Sequence, residues 1–314
     1  MKPLFMWAGG KNKMISKYTA ADALPSTFSS YVEPFMGGGA MFIWAHDKNP
    51  KADLIINDLN AGIMSIYTAI KNDVQVFTEH LDKMSAEYLP LEKGEANKAL
   101  EKELEKDWKQ LHDLNPCRRY YYYRLRDLHA FKYQNWDATK EAAVLYFLMK
   151  TGFNGIWQVN KNTNGRFGTP SGLLNQKDKV YDRDNVMKWH SALQQCTLLT
   201  GDFGDVLPHI QSGSFVFMDP PYRGSFTQYG VDFDDKIQQR VIDLLNDSKT
   251  LGAYTLMSNR EVGDGFFEER KGNNALLKFD VTYTAGRRKK NEDGTHSAKK
   301  AVEILMIGDP TAKV

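Results

Sequence analysis

This sequence of 314 residues has few cysteines, no long apolar run and no large excess of either charge. The two cysteines, Cys117 and Cys196, are too few for a disulfide framework or a four-thiolate zinc site. The longest clear apolar stretch, Ala142 to Met149, suits a buried helix and falls short of the ~18 residues of a membrane span. Basic and acidic residues number 41 and 39, and the net charge of +2 still allows a basic binding face.

The composition, with 42% apolar, 12% aromatic and 25% charged residues, is that of a globular protein and excludes a collagen-like or wholly disordered chain. The first residues turn polar after a few apolar side chains and lack the core of a signal peptide. We therefore expect a cytoplasmic protein without membrane association, with one large domain and a smaller one.

Short apolar strands alternate with helical patterns at both ends of the chain. A strand over Ser29 to Phe35 leads into Gly37-Gly38-Gly39, a second strand covers Asp53 to Asn57, and a helix is predicted from Asn60 to about Lys71. Further strands are predicted at Cys196 to Leu199, Ser214 to Met218, Ala253 to Met257, Lys278 to Tyr283 and Val302 to Ile307. This order predicts an α/β fold with a Rossmann-like, doubly wound sheet.

The middle of the chain has no strand pattern between Asp73 and Gly152. The mixed charges from Glu92 to Lys109 are typical of a solvated helix, with a partner-binding coil as the alternative. The segment Gly152 to Gly172 is rich in Gly, Asn and Thr, which indicates an exposed loop or hairpin. We predict a catalytic domain formed by residues 1–72 and 190–314, with residues 73–189 inserted as a mainly helical domain.

The motif Asp219-Pro220-Pro221-Tyr222 follows directly after the predicted strand SFVFM. Ligands bind at the carboxyl edge of such sheets, and an acid followed by two prolines places a rigid turn there. The carboxylate and carbonyls are hydrogen-bond acceptors and the tyrosine ring is a stacking face, so the motif suits a flat, amino-bearing group. Taken alone, it is also compatible with a plain surface turn.

A second motif, Glu33-Pro34-Phe35-Met36-Gly37-Gly38-Gly39, precedes Asp58 at the spacing at which an acid reaches the ribose of a bound nucleoside. The loop has neither the G-x-G-x-x-G of dinucleotide folds nor the ending of a phosphate loop. It therefore fits a nucleoside cofactor without pyrophosphate, such as S-adenosylmethionine, or simply a tight turn. Two weaker signals are Trp7-Ala8-Gly9-Gly10-Lys11 and Gly201-Asp202-Phe203.

Together these four motifs, in this order, resemble the DNA adenine methylase (Dam-type) family of N6-adenine DNA methyltransferases. The resemblance extends over nearly the whole chain, including Thr151-Gly152-Phe153-Asn154-Gly155, Ser258-Asn259 and the closing strand VEILMIG. It implies methyl transfer from S-adenosylmethionine to the N6 amine of adenine in double-stranded DNA, on a base flipped out of the duplex. No metal is implied, because no cluster has ligand spacing.

The resemblance assigns the chemistry to Asp219, Pro220, Pro221 and Tyr222, with Asp219 and the Pro220 carbonyl accepting the N6 hydrogens and Tyr222 stacking on the base. Asp58 is expected to bind the ribose hydroxyls and Glu33 the methionine ammonium of the cofactor. Asp202 is expected to bind the cofactor's adenine amine. The complete set of predicted cofactor residues is Trp7, Lys11, Glu33, Phe35, Gly37, Gly39, Asp58, Asp202, Phe203 and Asp219.

The resemblance places the DNA-reading element in the segment from Gly152 to Gly172. The predicted DNA-binding residues are Arg124, Phe153, Asn154, Gln158, Lys161, Asn164 and Arg166. Members specific for GATC carry Lys where this chain has Met6 and Arg where it has Gln158. Because Arg suits guanine and Gln suits adenine, we predict a different short site or relaxed specificity.

Two other functions remain compatible with the sequence. The first is N-methylation of RNA or of a protein amine, since the catalytic motif tolerates several planar amines. The second is a nucleic-acid-binding protein without catalytic activity, against which the intact catalytic motif argues. The oligomeric state and the recognition site are not predictable from these residues.

Overall fold

The computed structural model describes residues 1–7, 9–131, 135–159, 161–224, 233–283, 289–290, 296–297 and 299–312. These residues form two compact units. The helical unit contains Met1–Gly9 and Asn60–Gln194, and the sheet unit contains Gly10–Leu59 and most of the described residues from Gln195 onwards.

The helices are α1 (Asn12–Ala20), α2 (Ala40–Lys48), α3 (Ala61–Tyr88), α4 (Lys98–Glu103), α5 (Trp108–Leu114), α6 (Arg118–Phe131), α7 (Ala138–Thr151), α8 (Arg183–Leu193), α9 (Asp235–Thr250) and α10 (Phe266–Arg270). The strands are β1 (Ser30–Glu33), β2 (Asp53–Asp58), β3 (Cys196–Thr200), β4 (Ser214–Met218), β5 (Tyr254–Glu261), β6 (Ala275–Tyr283), β7 (Lys289–Lys290), β8 (His296–Ser297) and β9 (Lys299–Gly308).

The sheet unit is built on a seven-stranded sheet in the order β3-β2-β1-β4-β5-β9-β6. The pairs from β3 to β5 are parallel, whereas β9 runs antiparallel to both of its neighbours. The chain therefore winds outward from β1 in one direction and then, from β4, in the other. This confirms the Rossmann-like, doubly wound α/β class predicted from the alternation of strands and helices.

Apolar side chains at alternate positions of the strands bury one face of the sheet. Val32, Ile55 and Val216 belong to a buried cluster that also contains Val241 and Leu245 of α9. Full burial of such a side chain contributes about 1.5–3 kcal/mol each, so this face fixes the register of the parallel strands. Their carboxyl ends are thereby held side by side.

The helical unit is organised around α3, which packs against α7 and α8. The helix predicted to end near Lys71 continues to Tyr88, with an interruption at Asp73 (φ −149°, ψ 51°). It continues because buried residues recur at helical spacing, for example Phe77 and Leu81. The predicted domain divisions at 72/73 and 189/190 fall within α3 and α8, and the compact units divide at Asn60 and after Gln194.

The charged segment from Glu92 to Lys109 does not form the single solvated helix predicted from its charge spacing. It contains α4 and the start of α5, and Gly94, Glu105 and Lys106 have positive φ angles that interrupt any continuous helix. Glu101 is buried and pairs with Arg119 of α6 at 3.1 Å, so the segment packs within the helical unit. The absence of strands between Asp73 and Gly152 is confirmed for the described residues.

Candidate active site

Four neighbouring parallel strands each deliver an acidic residue to the same edge of the sheet. In spatial order these are Asp202 beyond β3, Asp58 at the end of β2, Glu33 at the end of β1 and Asp219 directly after β4. The winding direction reverses between β1 and β4, and a crevice opens at such a reversal in doubly wound sheets. Glu33 and Asp219 lie on either side of this point.

Asp219 is held by two donors on a single carboxylate oxygen. Its Oδ1 lies 2.7 Å from the Nζ of Lys11 and accepts a hydrogen bond from the Ser258 hydroxyl at 2.7 Å. The side chain of Lys11 is only 5% exposed and that of Asp219 is 21% exposed. Among the described residues no hydrogen bond reaches the other oxygen, Oδ2, so one acceptor of the carboxylate is occupied and one is available.

The ion pair also determines the charge of Lys11. Burial lowers the pKa of Lys11, but the adjacent Asp219 carboxylate more than compensates, so the pKa lies above its ordinary value. Lys11 was predicted to bind the cofactor. In the structure its ammonium lies against the carboxylate of the catalytic motif, and cofactor binding by Lys11 stays a prediction.

The ring of Tyr222 is fixed at both its face and its hydroxyl. The Nζ of Lys11 lies 4.8 Å from the ring centroid, and the hydroxyl donates to Oε2 of Glu303 on β9 at 3.0 Å. Burial, followed by the nearby Asp219 and Glu303 carboxylates, raises the pKa of Tyr222 well above its usual value. The phenol therefore stays neutral and acts as a hydrogen-bond donor.

The two proline carbonyls of the motif differ in their partners. The Pro221 carbonyl accepts a hydrogen bond from Gln238 Nε2 at 2.9 Å. Within the described part of the chain, no hydrogen bond is made to the Pro220 carbonyl. The Pro220 carbonyl and Oδ2 of Asp219 are therefore both available as acceptors at the motif.

The glycine loop after β1 is tied to the end of β2. The Gly37 amide donates to Oδ2 of Asp58 at 2.9 Å, and Gly37 and Gly39 have positive φ angles of 44° and 70°. Asn57 is fully buried, and its Nδ2 donates to the carbonyls of Pro34 and Gly201, both at 3.1 Å. Asn57 was not among the predicted site residues, although it directly precedes Asp58.

Glu33 is the most deeply buried acid at this edge. It is 3% exposed, and the Tyr31 hydroxyl donates to its Oε2 at 2.8 Å. Burial raises the pKa of Glu33 well above its ordinary range, and the neighbouring Asp219 and Asp58 carboxylates raise it further, against the hydrogen bond from Tyr31. A cation bound beside Glu33 would stabilise its ionised form.

An aromatic cluster lies at the ends of β1 and β3. Phe35 and Phe203 are stacked with ring centroids 5.3 Å apart, and Phe233 lies 6.2 Å from Phe35. Asp202 pairs with Arg240 at 2.7 Å, and the guanidinium carbon lies 4.6 Å from the Phe203 ring centroid. Both partners of this ion pair are about half exposed, so the pair is weak and exchangeable.

Trp7 belongs to the helical unit, whereas the other predicted cofactor residues belong to the sheet unit. Its ring lies 6.2 Å from that of Trp157. Met6 is 64% exposed and lies against Gly155, where a Cβ would stand 2.6 Å from the Met6 carbonyl oxygen. Only glycine fits at Gly155, which also has a φ of +62°.

The segment 152–172 forms the predicted hairpin, closed by antiparallel bridges between Gly152 and Ser171 and between Val159 and Phe167. Phe153 is 43% exposed, and the neighbouring Asn154 is also exposed. Asn164 is an exposed turn residue with a φ of 52°. We call this segment the 152–172 hairpin.

The remaining predicted DNA-binding residues have different surroundings. Arg166 pairs with Glu141 at 2.8 Å, and the Arg124 guanidinium lies 3.5 Å from Nδ1 of His112. Gln158 bonds within the hairpin through its backbone, and its half-buried side chain has no hydrogen-bond partner among the described residues. The side chain of Lys161 lies outside the described part of the structure.

Neither a metal-binding cluster nor a membrane-spanning helix occurs among the described residues. No group of three or more His, Cys, Asp or Glu residues is arranged to hold a metal ion. No helix in these ranges is long and apolar enough to cross a membrane.

Known proteins resemble the chain along almost its full length. It is 30% identical to the type II methyltransferase M.MjaIII of Methanocaldococcus jannaschii, over 98% of this chain and 99% of the relative. It is 23% identical to the type II methyltransferase M1.LlaDCHI of Lactococcus lactis, over 98% and 95% of the two chains. A DNA adenine methylase of Haemophilus influenzae is 22% identical over 77% of this chain and 72% of its own.

The profile of one family, described as D12 class N6 adenine-specific DNA methyltransferase, matches residues 7–290. This range includes the glycine loop, the 152–172 hairpin and the Asp219–Tyr222 motif. The resemblance inferred from these motifs is thereby confirmed, and the chain belongs to the D12 class N6 adenine-specific DNA methyltransferase family.

Proposed function

We propose that this protein methylates the N6 amine of adenine in double-stranded DNA with Asp219, Pro220 and Tyr222 as catalytic residues. The observation that carries the proposal is the pair of acceptors left at the motif, Asp219 Oδ2 and the Pro220 carbonyl. An N6 amine has two N–H donors, one for each acceptor. With both hydrogens held, the nitrogen lone pair would point out of the plane of the ring, in line with the donor's methyl group. An N–CH3 bond would then form as the S–CH3 bond of the donor breaks, and N6 would lose one of its two protons.

Tyr222 supplies the stacking face for the target base. Its hydroxyl is fixed by Glu303, so the ring presents a constant surface to an incoming adenine. An adenine reaches this sheet edge only after it has been flipped out of the duplex. Because the attack is a direct displacement, no side chain of the enzyme is alkylated on the way.

We propose S-adenosylmethionine as the methyl donor, because the residues at the strand ends match its functional groups. It supplies an electrophilic methyl group on a sulfonium ion. Asp58 accepts hydrogen bonds from the ribose hydroxyls, and Glu33 pairs with the methionine ammonium, which offsets the cost of ionising this buried acid. Phe35, which is only partly buried, contacts the adenine of the donor beside Asp202, and the buried Phe203 ring supports Phe35 by stacking on it.

The helical unit is proposed to read the DNA sequence through the 152–172 hairpin. Exposed Phe153, Asn154 and Asn164 lie on the hairpin, and Met6 packs against its Gly155. Met6 has no hydrogen-bond donor for a base edge, and the Gln158 amide suits adenine better than guanine. We therefore propose a short or relaxed site other than strict GATC.

The test is to incubate the protein with S-adenosylmethionine and unmethylated DNA of complex sequence, and to map N6-methyladenine at base resolution. Methylation of adenine in one short motif other than GATC, or in many contexts, supports the proposal. Methylation confined to GATC contradicts the proposed specificity. Transfer to RNA or to a protein amine, with none to DNA, contradicts the proposed substrate.

Replacing Arg166 or Lys161 by Ala is expected to weaken DNA binding and to flatten its salt dependence. Each lost phosphate contact lowers the slope of log K against log salt concentration by about 0.9. Binding is measured by fluorescence anisotropy over a range of salt concentrations. Arg183→Ala is the matched control, since Arg183 forms an ion pair with Asp82 elsewhere in the helical unit. If both hairpin variants keep the wild-type slope of log K against log salt concentration, these residues do not contact the DNA phosphates.

A further inference from the structure

We infer that Gln238 and Asn259 are positioning residues that set the backbone of the catalytic motif through a relay of buried amide hydrogen bonds. The inference rests on the proposed function, because it concerns the same motif. Gln238 lies on α9 and Asn259 on β5, and both are fully buried. Neither residue was assigned a role from the sequence.

The relay joins two backbone positions that flank Tyr222. Gln238 Nε2 donates to the Pro221 carbonyl at 2.9 Å, and Gln238 Oε1 accepts from Asn259 Nδ2 at 2.9 Å. Asn259 Oδ1 in turn accepts from the backbone amide of Arg223 at 3.0 Å. The carbonyl before Tyr222 and the amide after it are therefore held by one connected pair of side chains.

The polarity of the relay has only one possible direction. Its first group, the Pro221 carbonyl, can only accept a hydrogen bond. Its last groups, the amides of Arg223 and Arg260, can only donate, and Arg260 N bonds to Asn259 Oδ1 at 2.8 Å. Flipping either side-chain amide would place oxygen against oxygen in a buried site, which is costly.

The relay also determines which carbonyl of the motif is available. Because Gln238 occupies the Pro221 carbonyl, the Pro220 carbonyl is the one left for an N6 hydrogen. A change in the peptide orientation at Pro221 would rotate its neighbours and move both the Pro220 acceptor and the Tyr222 ring. Misplacement by about 1 Å at a reacting centre can cost a rate factor of about 10².

Two further interactions hold the turn at Arg223 from its more exposed side, whereas the relay holds it from the buried side. The Arg260 guanidinium donates to the Arg223 carbonyl at 3.0 Å, and the Arg223 guanidinium bonds to Asp235 at 2.6 Å. The Asp235 side chain is 58% exposed, so that bond is open to water. The connection through Gln238 and Asn259, by contrast, runs through two fully buried side chains.

The experiment replaces Gln238 by Glu and Asn259 by Asp, one at a time, and measures methyl transfer at saturating S-adenosylmethionine and DNA. Each of these variants is expected to lower kcat by about 10- to 100-fold, with the Kd for S-adenosylmethionine within about twofold of the wild-type value. Coupling is measured with uncharged replacements, Gln238→Met and Asn259→Leu, so that no pair of buried carboxylates is created; because either change breaks the same relay, their double variant is expected to be no slower than the slower of the two single variants. Gln239→Ala is the control, since this neighbour on α9 makes an exposed bond to Asp243.

Three outcomes would overturn the inference. The first is a normal kcat in both single variants. The second is a loss of kcat accompanied by an equal loss of cofactor binding and a large fall in Tm, which indicates a purely structural role. The third is additive losses in the double variant. If Gln238→Glu does not fold, Asn259→Asp, which keeps both backbone acceptor contacts, decides the question. Wild-type protein without methyl transfer would refute the proposed function, and this inference with it.

Discussion

Replacing Asp219 by Ala is expected to lower kcat for adenine methylation by at least about 10²–10³-fold. Removal of one preorganised group that contacts the reacting atoms typically costs this much, and here the lost Oδ2 is one of two acceptors for the N6 hydrogens. Cofactor binding should stay measurable, because Asp58, Glu33 and the aromatic cluster are unchanged. Methyl transfer is followed with labelled S-adenosylmethionine, and its binding by calorimetry.

The same substitution should also destabilise the fold. Lys11 is 5% exposed and would lose the carboxylate that now neutralises it. Breaking one side of such a buried pair costs about 3–5 kcal/mol. The double variant Lys11→Met/Asp219→Ala is therefore expected to recover most of the Tm while remaining inactive. Near-normal turnover in the folded single variant would contradict the role assigned to Asp219.

Replacing Asp58 by Ala is expected to weaken S-adenosylmethionine binding by about 10- to 100-fold. Hydrogen bonds to a charged group contribute about 1.5–3 kcal/mol, and the ribose offers two hydroxyl donors to this carboxylate. The variant also releases the Gly37 amide, which now bonds to Asp58 at 2.9 Å. The Kd is measured by calorimetry without DNA, so that the result concerns the cofactor alone.

Two further variants distinguish the loss of the ribose contact from the loss of the Gly37 hydrogen bond. Asp58→Asn keeps an acceptor for Gly37 but removes the charge, so a loss of affinity in this variant points to the ribose contact. Asp53→Ala changes an exposed acid at the opposite end of the same strand and should leave the Kd unchanged. Tight binding by both Asp58 variants would exclude Asp58 from the cofactor site.

The sheet and its edge were predictable because their signals are local. Strand-forming runs end in Glu33, Asp58 and Asp219, and parallel strands bring such ends to one edge whatever the details of packing. Each predicted strand was found within a few residues of its expected position. In the helical part, the predicted helix end near Lys71 agrees with the non-helical Asp73, whereas the second helical stretch of α3, up to Tyr88, was not predicted as a separate element.

The contacts made around the catalytic motif were not predictable, because they depend on residues far away in the chain. Lys11 reaches Asp219 and Glu303 reaches Tyr222 only once the sheet has formed. Gln238 gives no sign of its role, since a glutamine on a helix is usually solvated. Such pairings follow from strand order and register, which a single sequence does not specify residue by residue.

The position of β9 has a consequence for the biosynthesis of the enzyme. β9 follows every other strand of the sheet in chain order, yet it lies between β5 and β6, which pair with it rather than with each other. A nascent chain that ends before residue 299 leaves the edge of β5 open, and an open edge invites pairing with other chains. Pairing of this kind, between distant segments, is slow to form. Because β9 also carries Glu303, the hydrogen bond that fixes the Tyr222 hydroxyl forms in the same folding step that covers the edge of β5.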